Sequence, residues 1–451
     1  MRIEDTDLER SQEQYVEQIL DALRWLGLDW DGEVEYQSRR LTHHRQALEQ
    51  LRRSGAAYPC FDTEEELKTM REAAAARGQV FRYAADGPRI PPEEANVRIA
   101  RGEPHYFRFR VPAGETIIED RVRGRVVFQN AEIDDFVLTR PNGLPTYNFA
   151  CAADDAAMGI THVIRGEDHI SNTPRQIMII RALGHEPPQY AHLPLILGPD
   201  KARLSKRHGA ASVQEFREQG YLPEALVNFL VLLGWALDDS TELFTREQMI
   251  QHFSLERVNP AAAVFNLEKL QWLNGIYIRE RTDRARLNSL VREELVRAGF
   301  DLSLYTEQDL EAIIALAVER CRTLKDFPAV LDFFFQEPRT YDQEGVKKIF
   351  LKEGAGDNLA AARDTLAALQ DWTPEALEAA LRALAEQRGV GLGKIAQPLR
   401  LALTGRLASP GIFEVVLLLG RRRVLARMDR AIHYISSAGA GMQSSGHSPT
   451  G

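Results

Sequence analysis

Cysteine is nearly absent. The 451-residue chain holds three, Cys60, Cys151 and Cys321. Spacing this wide argues against a disulfide framework and fits a reducing compartment. It also argues against structural zinc, because Cys60 stands alone and the residue two places on is Asp62. No pair of histidines has metal-ligand spacing with a third partner, and His162 and His169 read as structural. No apolar run approaches the length needed to cross a bilayer. The opening residues lack the charged and apolar regions of a secretory leader, so a cytoplasmic protein is expected. No internal repeat is present. Positive charge is not in excess either: the net charge is −9. What is there is 44% hydrophobic and 27% charged residues. That composition buries a sizeable core, and this length implies roughly two to four domains.

The total charge conceals its distribution. Residues 391–435 hold Lys394, Arg400, Arg406, Arg421, Arg422, Arg423, Arg427 and Arg430 against Glu414 and Asp429, a local +6. Local patches, not totals, neutralise phosphates. The alternative is an ordinary charged helical face. A second concentration lies in one loop. An apolar run over 192–197 leads into Gly198-Pro199-Asp200, a turn by composition. Lys201, Arg203, Lys206 and Arg207 then fall within seven residues around Ser205, close to Gly209. Such a loop can wrap a polyanion with ammonium, guanidinium and backbone N–H donors. The alternative is a solvated basic loop.

Two further motifs decide between these readings. The chain opens Arg2-Ile3-Glu4-Asp5-Thr6-Asp7, and residues 145–150 read Pro-Thr-Tyr-Asn-Phe-Ala. The latter leads to Asp154-Asp155, to Gly159-Ile160-Thr161-His162-Val163-Ile164-Arg165-Gly166-Glu167-Asp168, and to Asn172-Thr173-Pro174-Arg175. With Leu204-Ser205-Lys206-Arg207, in this order and spacing, the set resembles the class I aminoacyl-tRNA synthetases for glutamate and glutamine. The likeness is to the bacterial-type glutamyl-tRNA synthetases and covers residues 1 to about 435. The family's first signature, a His-x-Gly sequence after an apolar strand, has no counterpart here. A chain short by one strand–turn–helix at its start, on the order of 35 residues, is therefore expected.

The resemblance implies an α/β fold: a class I Rossmann-type catalytic domain without its first strand and signature, in two parts (1–55 and 141–205). An inserted α+β connecting domain for the acceptor end is expected over 56–140, a helical stem-contact region over 206–280, and an all-α anticodon-binding domain over 281–435. The residues themselves agree in texture. Tyr15, Ile19, Leu20, Leu23 and Leu26 recur at helical spacing before Gly27. A helix over 63–77 has Thr63 as cap, and residues 106–111 and 123–128 alternate as half-buried strands do. Residues 300–435 keep a helical period, which favours glutamate, since glutaminyl enzymes of this subclass use β-barrels there. Residues 436–451, rich in Ser and Gly, predict a disordered tail.

The reaction implied is attack of a glutamate carboxylate on the α-phosphorus of ATP, then transfer of the glutamyl group to the 3′ end of tRNA. The nucleophile is already an anion, so the protein must position reactants and stabilise charge on phosphate oxygens. Lys206 is expected to be the catalytic cation. Arg203, Leu204, Ser205, Arg207, Asp168 and Ile196 are expected around ATP, with Asp168 near the ribose and Ile196 near adenine. Glu4, Tyr147, Cys151 and Arg165 are expected around glutamate. Arg165 offers a fork to a carboxylate, or else pairs with Glu167 or Asp168. Glu4 meets the α-ammonium, or else helps cap a helix beside Asp5 and Thr6. Tyr147 presents its hydroxyl, or else packs in the core. Cys151 stands where relatives often carry Asn or Val, which leaves its contact open. Lys394, Arg400 and Arg406 are expected to bind tRNA. The resemblance further implies ATP with Mg2+, no zinc, L-glutamate, tRNA(Glu), no membrane partner and a monomer, and leaves open whether tRNA(Gln) is also charged. A glutaminyl ligase, or a non-catalytic tRNA-binding fragment, are the other readings.

Overall fold

The structure, a computed structural model, describes residues 1–6, 12–88, 90–205 and 212–444. Contacts divide it into two units, one of residues 1–215 and 226–267, the other of residues 216–225 and 268–451.

The first unit is built on small sheets. β1 (Arg2–Ile3) pairs in parallel with β2 (Glu35–Tyr36). β3 (Ala57–Cys60), β4 (Tyr106–Phe109) and β7 (Phe136–Val137) form an antiparallel sheet in the order β3-β4-β7. The main sheet has the order β6-β5-β9-β8, from β5 (Glu115–Asp120), β6 (Gly124–Gln129), β8 (His162–Gly166) and β9 (Gln189–Leu193). β5 and β6 are an antiparallel hairpin, whereas β5, β9 and β8 run parallel. The helix Thr173–Ala182 connects β8 to β9 as the crossover that a parallel pair requires. Ile177, Met178, Ile179 and Ile180 are consecutive and all buried, so the helix is covered by protein around most of its circumference here. β10 (Ile196–Leu197) pairs in parallel with β11 (Ala263–Val264).

The expected boundaries at 56 and 140 are not breaks in packing. The β5–β6 hairpin joins the same sheet as β8 and β9. One core cluster combines Ala47, Leu51, Ala57, Phe109 and Leu138 with Phe149, Ala152 and Ile179. The helix expected over 63–77 is Glu64–Ala76, closed by a capping box in which Thr63 and Glu66 satisfy each other's backbone N–H.

The second unit is helical. The helices Arg284–Arg297, Glu307–Ala317 and Asp326–Phe335 pack on one another. Ala355–Ala368 packs on Pro374–Gln387, Gly393–Thr404 and Arg421–Ser444. The last helix runs through residues 436–444, where composition predicted disorder; once nucleated, a helix extends at small cost per residue. Residues 445–451 of that expected tail lie outside the described residues.

Candidate active site

Three parallel strands end side by side, and each delivers one polar side chain at its carboxyl end. Asp120 closes β5, Arg165 is the penultimate residue of β8, and His192 the penultimate residue of β9. Such ends are where ligands of open α/β sheets bind. The Asp120 carboxylate accepts from His192 Nδ1 at 2.6 Å, and also from the backbone N–H groups of Val122, Arg123 and His192. Burial alone would raise its pKa; these donors outweigh burial and hold it below the usual carboxylate range. Arg165 donates through Nε to His192 Nε2 at 3.3 Å and through Nη2 to Thr173 Oγ1 at 2.8 Å. Among the described residues it makes no ion pair. The carboxylates nearest to it in sequence are taken: Glu167 pairs with Arg123, and Asp168 with Arg203 at 3.2 Å. A guanidinium supported by neutral partners keeps its charge available for a ligand.

The helix Tyr147–Ala157 contributes the next wall. Tyr147 is exposed at 36%, which sets aside the core-packing alternative. Its hydroxyl lies 3.2 Å from His169 Nδ1. Burial of the hydroxyl, with the fields of Cys151 and Glu4, pushes the phenol well above its ordinary range, so it stays protonated. Cys151, one turn on, is buried, and its thiol donates to Glu4 Oε1 at 3.2 Å. Burial, reinforced by Glu4, pushes that thiol up as well. Glu4 also meets Arg2 at 3.1 Å, while Arg2 pairs with Asp155 at 2.7 Å. Among the described residues the next helix along the chain begins at Glu13, with Gln12 as its cap. Asp5 instead holds Ser38, accepting from its N–H at 2.8 Å and its hydroxyl at 2.6 Å. Glu4, Tyr147, Cys151 and Arg165 are thus brought to one place.

The loop after β10 forms the other side. Leu197 bridges Arg203, Gly198 N–H donates to Ala202 O, and Leu204 N–H donates to Ile196 O at 2.9 Å. The chain reverses at Lys201, whose φ of 60° is left-handed, a conformation uncommon outside glycine. The expected turn at 198–200 is therefore a tight hairpin that returns Arg203 toward Asp168. Gly166 makes that approach possible: a Cβ there would lie 2.6 Å from Asp168 Oδ1. Ser205 ends this described stretch. The catalytic candidate Lys206, and with it Arg207, lies outside the described residues.

Two of the three tRNA candidates are engaged internally. Arg400 Nη1 donates to Ser409 O at 3.0 Å and Pro410 O at 2.8 Å, holding a turn. Arg406 donates to Ala329 O and pairs with Asp332. Arg427, only 2% exposed, is tied to Glu337 and Leu403 O. Counting charges could not separate cations that staple loops from cations that face outward. Lys394 is exposed, on the rim of a cleft of about 450 Å³ that Lys348 and Lys352 also line. Sequence reasoning assigned no role to Arg2, Asp155, Thr173, Asp120 or His192, and it set His169 aside as structural. Arg2, Asp155 and Thr173 lie inside the quoted motifs; nothing in spacing links Asp120 to His192. Among the described residues no group of three or more His, Cys, Asp or Glu is placed to hold a metal ion. No helix of the described residues is long and apolar enough to cross a membrane.

Known proteins share this architecture. A family described as tRNA synthetases class I (E and Q), catalytic domain, matches residues 1–272, and an anticodon binding domain matches residues 286–432. The chain is 46% identical over 451 residues to glutamate–tRNA ligase 2 of Rubrobacter xylanophilus, spanning 97% of this chain and 90% of that protein. It is 43% identical over 436 residues to glutamate–tRNA ligase 1 of Caldanaerobacter subterraneus subsp. tengcongensis, spanning 96% and 90%. A crystal structure of a glutamate tRNA ligase from Elizabethkingia meningosepticum in complex with its amino acid matches with a TM-score of 0.88 at 32% identity, covering 96% of this chain and 92% of that one.

Proposed function

This chain belongs to the class I tRNA synthetases of the glutamate and glutamine type, and on that premise we propose that it is a glutamate–tRNA ligase. It activates L-glutamate with ATP and transfers the glutamyl group to tRNA(Glu). The observation that carries the amino-acid side of this reading is that Glu4 and Arg165 both lie close to Tyr147, with Arg165 held by His192 and Thr173.

Each group has a role that its chemistry permits. The Arg165 fork receives a carboxylate of glutamate. Glu4 receives the α-ammonium, and the neutral Cys151 thiol orients Glu4 by donating to it. The Tyr147 hydroxyl, still protonated at neutral pH, is a donor and an acceptor for the substrate. Asp168, with Arg203, meets the ATP ribose, and Ile196 lies against adenine. Lys206 and Arg207, with Ser205 and the backbone of Leu204, follow the phosphates. Mg2+ arrives with ATP as part of that substrate. The glutamate carboxylate attacks the α-phosphorus and pyrophosphate leaves. The 3′-terminal adenosine hydroxyl then attacks the adenylate carbonyl, and AMP leaves.

For tRNA, the helical unit supplies Lys394, with Lys352, as outward cations, whereas Lys348 beside them pairs with Glu344; the protein works as a cytoplasmic monomer. A glutaminyl ligase of this subclass would carry β-barrels where residues 284–437 here are helical. The test is aminoacylation of tRNA(Glu) and tRNA(Gln) with labelled glutamate and with labelled glutamine. Glutamate is expected on tRNA(Glu). Preferential charging of glutamine would reject the assignment.

A further inference from the structure

His192 is the residue on which the substrate arginine rests, and its protonation state is set by its neighbours. Asp120 is an acceptor, so the nitrogen facing it, Nδ1, carries the proton. Arg165 Nε–H can only donate, so the nitrogen facing it, Nε2, carries the lone pair. Thr173 completes the support: its hydroxyl accepts from Arg165 Nη2 at 2.8 Å, lies 3.0 Å from His192 Nε2, and can donate to His169 O at 3.2 Å. The ring is therefore neutral and in one tautomer. It is 1% exposed and stacks on Tyr190 at 6.0 Å with 9° between the planes. Three parallel strand ends and the first residue of the crossover helix thus form one chain of hydrogen bonds, Asp120–His192–Arg165, braced by Thr173.

We propose that His192 is a positioning residue for glutamate binding, an acid-sensitive rest that aims the Arg165 fork only while its Nε2 is unprotonated. The proposal rests on the reading of Arg165 as the carboxylate clamp. Protonation would turn Nε2 from acceptor to donor and put a second cation against Arg165 Nε. The fork would then lose its support and be repelled from its seat.

The surroundings favour the neutral ring. Burial lowers its pKa, the Asp120 carboxylate opposes that, and the nearby Arg165 and His169 add to the lowering, with the net direction downward. The charged or titratable groups around it are Asp120 from β5, Arg165 from β8, His169 from the turn before the crossover helix, and Tyr190 on its own strand. Arg123, which donates to the His192 carbonyl at 3.4 Å and pairs with Glu167, completes the set. The sign follows. His192 is neutral at pH 7.5 and gains its proton at a lower pH than an ordinary histidine does, so glutamate affinity weakens on acidification.

The test measures L-glutamate and ATP binding to the full chain by calorimetry between pH 5.5 and 8. His192→Asn keeps a donor for Asp120 but has no titrating Nε2. It should weaken glutamate binding about tenfold at pH 7.5, as for one lost hydrogen bond to a charged group, and leave ATP binding unchanged. Its glutamate affinity should also lose the acid limb that the parent shows, although His169 is still present. Thr173→Val removes only the hydroxyl; it should weaken glutamate alone, with the acid limb kept, and it carries the test if His192→Asn does not fold. Arg165→Ala separates the two ideas. If it spares glutamate binding, the clamp reading fails and the proposal with it. If it abolishes glutamate binding while His192→Asn and Thr173→Val bind glutamate as the parent does, with the same pH profile, the clamp stands and the positioning role is overturned.

Discussion

Arg165 is the residue on which the substrate side of the site turns, and its distinction is what it does not pair with. Glu167 and Asp168, the carboxylates nearest in sequence, are held by Arg123 and Arg203. Arg165→Lys should raise the KM for glutamate more than that for ATP, because an ammonium cannot reproduce a planar fork. Steady-state aminoacylation with each substrate varied checks this; a larger effect on ATP would move Arg165 to the nucleotide side. On that nucleotide side, Gly166→Ala should displace Asp168, since the added carbon would lie 2.6 Å from its Oδ1. The expected result is a raised KM for ATP with glutamate unchanged. Backbone strain is not the cause, because Gly166 has an ordinary φ of −64°. Lys206→Ala should raise the adenylation barrier by about 2–4 kcal/mol, the range for one preorganised donor, with tRNA binding little changed. Presteady-state pyrophosphate release against tRNA filter binding reads both. Glu4, Tyr147, Arg165 and Asp168 are legible as candidates in the chain, because they lie in short contiguous motifs. Asp120 and His192 were not: 72 residues separate them, and only the register of β5 on β9 brings them together.

At the level of elements, sequence pattern located helices and strands well and the partnerships of strands poorly. The alternation over 106–111 and 123–128 corresponds in the structure to the strands Tyr106–Phe109 and Gly124–Gln129. Alternation does not say which sheet a strand enters, however, and the β5–β6 hairpin joins β9 instead of staying with β3, β4 and β7. Ile118 on β5 is 2% exposed and packs with Ile177 and Tyr190. Ile118→Ala should therefore destabilise the main sheet by about 2–5 kcal/mol, as for other large-to-small core changes. A second tie joins elements far apart in sequence. Asp154, on the helix Tyr147–Ala157, accepts from Gln37 at 2.9 Å, Arg40 at 2.8 Å and His44 at 3.0 Å. Burial would raise its pKa, but these partners outweigh it and lower it to about 2. A carboxylate lowered in the folded state stabilises fully above its unfolded pKa, near 4, and loses that contribution as pH falls toward 2. Urea unfolding against pH should show a decline over that window which Asp154→Asn lacks. Parallel curves for the two proteins would exclude the tie.

For the whole molecule, neither the total charge of −9 nor the local +6 says which cations are engaged within the protein. Arg400, Arg406 and Arg427 hold turns and carbonyls of their own unit, so composition overstates the cations available to phosphate. Lys352→Ala with Lys394→Ala should weaken tRNA binding and flatten its salt dependence, since each lost phosphate contact lowers the slope by about one. Arg400→Ala should instead lower thermal stability and leave that slope intact. Equal salt slopes for the lysine pair and the parent would remove the cleft from the tRNA surface. Both units bear on the central claim, that this chain ligates glutamate to tRNA through a clamp centred on Arg165. The most direct measurement is ATP-dependent transfer of labelled glutamate to tRNA(Glu) by the full chain, beside Arg165→Lys and with labelled glutamine as competitor. The account predicts glutamyl-tRNA, a glutamate requirement raised in the variant, and no inhibition by glutamine at concentrations near the glutamate KM. Bound tRNA without charging, or charging that Arg165→Lys leaves untouched, would contradict it.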